Sequence, residues 1–247
     1  MIEPWILIAT LSFFVAGAVK GTLGIGLPIA AVGLMTQFMD PRLAMSLMVF
    51  PIMITNIWQC YRAGGIPETF KKYYLFAIVL ALSLITTTYF TARISAAWLV
   101  AFVGTIIVLF SLINLFYSPP SIPARLDKRA QFVGGTVAGI IGGLTAIWSP
   151  PIAIYLIARD VGKEDFVRAT GFLFFIGSIP LCFGFIQNGL MTGSLAGISM
   201  AMIIPSLIGF SLGEVIRSKI KPERFKSIVL ICFLIIGINL IRKALFV

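Results

Sequence analysis

Among the 247 residues, those whose types and spacing could do chemistry cluster in KGTLGIGLP, residues 20–28, and in a partial echo, TAIWSPP, residues 145–151. The first stretch sets an ammonium group, Lys20, beside three glycines and a proline in the middle of an apolar segment. Glycine supplies the left-handed backbone of a tight turn, and proline in the first turn of a helix gives up no helical hydrogen bond. A helix that breaks and restarts there presents free N–H groups and a positive dipole end, which is a ready anion site. The residues placed around such a site are Lys20, Gly21, Thr22, Gly24 and Gly26 at the first break. Thr145, Trp148 and Ser149 stand at the second, with Asn56 and Gln59 from a neighbouring segment. Pro28, Pro150 and Pro151 mark where the chain turns back. Plainer roles compete for some of these: Lys20 snorkelling to an interface, Trp148 as packing, Gly17 and Gly139 as helix contacts, and Asn114 and Asn239 bonding between helices.

Other chemistries find no residues to carry them. The chain has no histidine, no clustered carboxylates, no nucleophile-plus-base arrangement and no phosphate loop, so neither an enzyme nor a metal or cofactor site is expected. The GxxGxG within KGTLGIG opens no strand–helix unit and carries no nucleotide reading. Cys60, Cys182 and Cys232 are widely separated in apolar surroundings and read as inert thiols. The excess of 19 Lys+Arg over 9 Asp+Glu lies in short loops, a footprint of membrane topology and not of nucleic-acid binding.

The elements that must position these residues follow from composition. With 59% hydrophobic residues, the chain is too apolar for a soluble domain of this size, and apolar runs of about 18 residues or more recur along it. An all-α polytopic membrane protein is predicted. The start, MIEPWILIAT, has no basic region before its apolar run, so the first apolar segment is expected to stay.

AGAVKGTLGIGLPIAA (16–31) aligns with AGIIGGLTAIWSPPIA (138–153), matching Gly17 to Gly139, Gly21 to Gly143 and Pro28 to Pro150. AMSLMVF (44–50) and ATGFLFF (169–175) follow in the same order, so two repeats are expected, residues 1–118 and 130–247, with a linker at 119–129. Each repeat reads as a broken or re-entrant helical hairpin, about 5–38 and 130–158, followed by three spanning helices. Those helices are placed at 43–61, 73–92 and 97–117, then at 166–186, 193–213 and 226–246. With two hairpins and six crossings, Arg42, Arg93, Arg242 and Lys243 fall on one face, fourteen basic residues on the other, and Lys20 inside. The positive-inside rule then places both termini outside. An odd number of crossings per repeat makes the repeats inverted, an arrangement recurrent in secondary transporters. An ammonium at this depth needs a partner, and the acids near the membrane reduce to Asp40 and Glu214 at segment ends. A small anionic substrate is the expected partner, and Glu214 is the candidate for any proton coupling.

At the duplicated elements AGAVKGTLGIGLP and GGTVAGIIGGLTAIWSPP, each followed by a loop and a helix beginning AMS or RATG, the chain resembles the sulfite exporter TauE/SafE family over essentially its whole length. Where many relatives carry a denser glycine run before the proline, this chain has Leu27 and the Trp148-Ser149 pair. The resemblance implies a bacterial inner-membrane transporter, often an exporter, of sulfite, sulfoacetate or other organosulfonates. The residues themselves leave open a passive anion channel, a non-transporting membrane subunit and assembly into homo-oligomers. Reporter fusions test the orientation: both termini are expected on the outer side, and a cytoplasmic N-terminus would overturn the re-entrant topology.

Overall fold

The computed structural model describes residues 3–117, 119–219 and 222–246. Lys221 and the side chain of Arg224, both counted on the basic face, lie outside the described residues, as do the repeat ends at 1, 118 and 247. The regular structure described is helical throughout. The first half holds α1 (Pro4–Leu23), α2 (Leu27–Met35), α3 (Pro41–Ala63), α4 (Ile66–Thr91) and α5 (Ala96–Phe116). After a short 3-10 turn come α6 (Asp127–Thr145), α7 (Ser149–Ala158), α8 (Lys163–Gln187), α9 (Gly193–Ala201), α10 (Ile203–Lys219) and α11 (Pro222–Ala244).

Among the described residues, seven helical stretches are long and apolar enough to cross a membrane: α1, α3, α4, α5, α8, α9 with α10, and α11. The protein is thus an all-α, multi-pass membrane protein. Six full crossings were expected, with α1 only a hairpin arm. At 20 residues α1 is about 30 Å long and reaches crossing length by itself, whereas the nine-residue α2 is about 14 Å and does not. The case for a re-entrant hairpin therefore rests on α2.

Glycines decide which helices touch. A Cβ on Gly17 or Gly21 would strike backbone of Ser206 or Phe210 in α10, and one on Gly209 or Gly213 would strike Phe14 or Ala18 in α1. Small residues four apart on both helices let the two backbones come together, with residue numbers rising in the same direction. α6 lies on α4 in the same parallel sense, through Gly135, Gly139 and Gly143 against Phe76, Leu80 and Leu84. α5 and α11 run antiparallel, Gly104 facing Gly237 and Ile241 while Gly237 faces Val108. α3 and α8 are antiparallel as well: Gln59 bonds to Val167 and Thr170, whereas Ser46 bonds to Leu190 beyond the far end of α8.

These directions gather the cations at two ends. At one, Arg42 donates to the carbonyls of Thr91 and Ile94, Arg93 to Asn188, and Lys243 to the carbonyls of Thr36 and Gln37. At the other, Arg168 donates to Ala63, Arg159 to Ile122, and Arg62 pairs with Glu214.

Breaks in the helices are mended from other segments. α4 starts seven residues before the expected 73 because the polar turn 66–72 is helical, ending at a kink where Tyr73 has φ −119° and ψ 15°. At the kink one side-chain amide bonds to both backbone groups: Gln131 Oε1 accepts from the Phe76 N–H at 3.2 Å and Nε2 donates to the Lys72 carbonyl at 3.0 Å. Pro51 within α3 has no N–H for the Leu47 carbonyl, which accepts instead from Ser199 Oγ at 2.7 Å. Asn239 bonds across to Gln37 as expected of it, but Asn114 donates to Phe110 of its own helix.

Gly213→Val should lower the thermal stability of the purified protein by about 1–3 kcal/mol, because its Cβ would meet the Ala18 carbonyl. Gly197→Ala, in an open stretch of α9, should be neutral or stabilising by up to about 1 kcal/mol. Equal effects in thermal denaturation would count against glycine-dictated packing.

Candidate anion site

At the first break, α1 ends on Gly24 in the left-handed region (φ 78°), whose N–H donates to the Lys20 carbonyl at 2.7 Å. Gly26 (φ 101°) follows, and Leu27 and Pro28 open α2. At the second break, Ala146 takes the aligned place in the same backbone region (φ 56°), its N–H donating to the Gly142 carbonyl at 2.8 Å. Ser149, Pro150 and Pro151 then open α7. All three prolines sit where the sequence pattern places them.

Lys20 is 1% exposed. Its Nζ donates to Thr55 Oγ1 at 3.1 Å and to Asn56 Oδ1, both neutral acceptors on α3. None of the ion pairs found among the described residues includes it. Beside it, Gln59 Nε2 donates to the Val167 carbonyl at 2.8 Å and to Thr170 Oγ1 at 3.1 Å. Two buried polar atoms of this group have no hydrogen-bond partner: Asn56 Nδ2, a donor, and Gln59 Oε1, an acceptor.

Lys20, Gly21, Gly24 and Gln59 line a cavity of about 160 Å³, with Arg62 and Glu214 also on its wall. A second cavity of about 360 Å³ shares Arg62, Ala63, Val167 and Arg217 with the first and adds Lys163, Glu164 and Arg168. The two cavities adjoin through these shared residues at the end of the bundle carrying these cations, and the first has Lys20 on its wall. Arg62 Nη1 reaches both oxygens of Glu214, at 2.8 and 2.7 Å, where the cavities adjoin.

The other predicted residues lie elsewhere. The Thr22 hydroxyl bonds to the carbonyls of Ala18 and Gly213, within the α1–α10 contact. Gly26 lines a separate, mostly apolar pocket with Phe233, so the opening of α2 is not on the Lys20 cavity. What α1–α2 contributes there is the end of α1. The helix opening that does line the adjoining cavity is that of α8, through Lys163 and Glu164. Thr145 Oγ1 accepts from the Ile147 N–H, closing the second tip. Trp148, 1% exposed, packs on Gly142 and Gly177 and lies edge-on to Phe174, while Ser149 Oγ has no partner. On α8, Val167 touches the first tip and Gly177 the second. Those positions are about 15 Å apart along the helix, so the tips stand at different depths instead of meeting around one ligand.

Sequence reading did not single out Thr55, and it counted Arg62 and Arg217 only as topology signals, whereas both also stand on the cavity walls. Thr55 was findable, since Thr55, Asn56 and Gln59 form one polar stripe on an otherwise apolar helix. The arginines carried no such signal, because a cation at a helix end looks the same whether or not a cavity lies beneath it.

A family model described as Sulfite exporter TauE/SafE matches residues 9–240. Neither a curated protein nor a solved structure matches the chain. With nearly its whole length covered by that match, the chain belongs to the sulfite exporter TauE/SafE family of membrane transporters.

Proposed function

We propose that this protein is a secondary transporter that exports a small sulfur-containing anion, sulfite or an organosulfonate, across the inner membrane. The observation carrying this reading is Lys20: a buried ammonium held by neutral oxygens alone, on the wall of a cavity that adjoins another lined by arginines. A full charge with uncharged ligands in a low-dielectric setting gains most from a mobile anion. Asn56 Nδ2 offers a further donor beside it. By the positive-inside rule the arginine-lined end faces the cytoplasm, so the anion enters from there, with both termini outside.

Alternating access is supported over an open channel by what lies beyond Lys20. Phe13, Met45, Met48 and Phe174, all at most 2% exposed, lie on α1, α3 and α8 between the level of Lys20 and the opposite end, and Trp148 packs edge-on to Phe174. Two inverted repeats supply the moving halves. Supporting this are the matching left-handed caps at Gly24 and Ala146 and the helix directions. α3 opposes its counterpart α8, and α5 opposes α11. Glu214, on the cavity wall, is the carboxylate placed to couple protons if the cycle uses them.

Sulfite should stabilise the purified protein in a thermal-shift titration, and Lys20→Ala should weaken the apparent affinity about tenfold or more. In proteoliposomes, sulfite-driven counterflow should disappear in the same variant. Sulfite flux without counterflow would point to the channel, and no stabilisation or flux with any anion would sink the transport reading.

A further inference from the structure

The Arg62–Glu214 ion pair occupies an unusual place. Arg62 and Arg217 line both cavities, Glu214 and Lys20 line only the inner one, and Lys163 and Arg168 line only the outer one. Arg62 stands on the wall of both cavities, and in this conformation both oxygens of a carboxylate hold its guanidinium. A carboxylate presents two acceptor oxygens in the plane that suits a guanidinium, and a sulfite or sulfonate group offers the same kind of acceptors.

We propose that Glu214 is a substrate-mimicking latch: it occupies on Arg62 the place an entering anion takes, and the neck between the two cavities opens when the anion displaces it. The anion identity rests on the transport reading above; the latch itself does not. The pair joins α3 to α10, 152 residues apart. α10 carries Gly209 and Gly213, which pack directly on α1 at Phe14–Ala18 and at Ala18–Thr22, the turn that holds Lys20, so release of Glu214 frees the helix packed against that turn. The latch is weak, as its role requires. Arg62 is 52% and Glu214 38% exposed, and ion pairs this open are readily exchanged for a competing ion. Arg217, which forms no ion pair among the described residues, lies beside the neck to hold the anion as Glu214 departs.

The test separates the latch from the substrate. In a Cys60→Ala, Cys182→Ala, Cys232→Ala background, Phe210→Cys places a thiol on the inner cavity alone, and its labelling by a small neutral thiol reagent is timed with no anion added. Arg62→Gln and Glu214→Gln should each speed labelling about two- to fivefold, the range that loss of an exposed ion pair corresponds to. The charge swap Arg62→Glu with Glu214→Arg should restore the slow rate. Should Phe210→Cys fail to fold, Gln59→Cys reports from the same cavity. Sulfite binding then splits the pair: Arg62→Gln should weaken it about tenfold, whereas Glu214→Gln should leave it as tight or tighter. Unchanged labelling in both single variants overturns the latch, as does weakening of sulfite binding by Glu214→Gln to the same degree as by Arg62→Gln. If the parent protein binds neither sulfite nor any other anion, the transport reading fails, and labelling alone still decides the latch.

Discussion

An ammonium group shielded from water inside a membrane-spanning bundle has to be ligated, and the architecture around Lys20 is organised by that requirement. Neither of the oxygens that its Nζ reaches belongs to its own helix. They come from α3, through Thr55 and Asn56, and α3 is in turn fixed by Gln59 bonding to α8. Neutral oxygens can hold the charge without cancelling it. A carboxylate at the same place would have given a tighter pair and a site with nothing left to offer an anion. The nearest such carboxylate on the cavity, Glu214, is taken by Arg62.

The same rule of full satisfaction governs the backbone. In a bilayer, interrupted helices survive only where other groups take over the freed N–H and C=O. Here each repair reaches across the bundle: Gln131 bridges the kink in α4, Ser199 serves the carbonyl that Pro51 cannot, and Lys243 closes the end of α2. Such repairs tie broken segments to neighbours, so a helix with an interruption is also one whose position depends on another helix. That coupling is what a protein needs if segments are to move as units.

The two glycine-rich elements share a backbone turn but not a chemistry. Lys20 aligns with Gly142, and Gly26 with Trp148. At the second element the indole lies against Gly142, so an aromatic ring stands beside the position that bears the ammonium in the first. One tip is polar and reachable from the basic end, while the other is packed with Trp148 and Phe174. With one tip charged and the other packed around its indole, Thr145 and Ser149 do not join Lys20.

Much of the fold was legible in the residues themselves. Long apolar runs set the helices, Gly24, Gly26 and Pro28 set the first break, Pro150 and Pro151 the second, and the uneven loop cations separated the two ends. These are local matters: solubility in a bilayer, the steric demands of a turn, and charge next to a span are all decided by neighbours in the chain. Periodicity also showed that Thr55, Asn56 and Gln59 share a face, but not what that face meets. That Thr55 would take Lys20 across 35 residues, or Glu214 take Arg62 across 152, was decided only by tertiary structure. Helical spacing fixes which way a side chain points from its own axis; which helix stands opposite depends on how glycine-lined backbones settle against one another. The depth of the two tips was decided the same way, because a hairpin's reach is set by the helices that grip it and not by the residues at its turn.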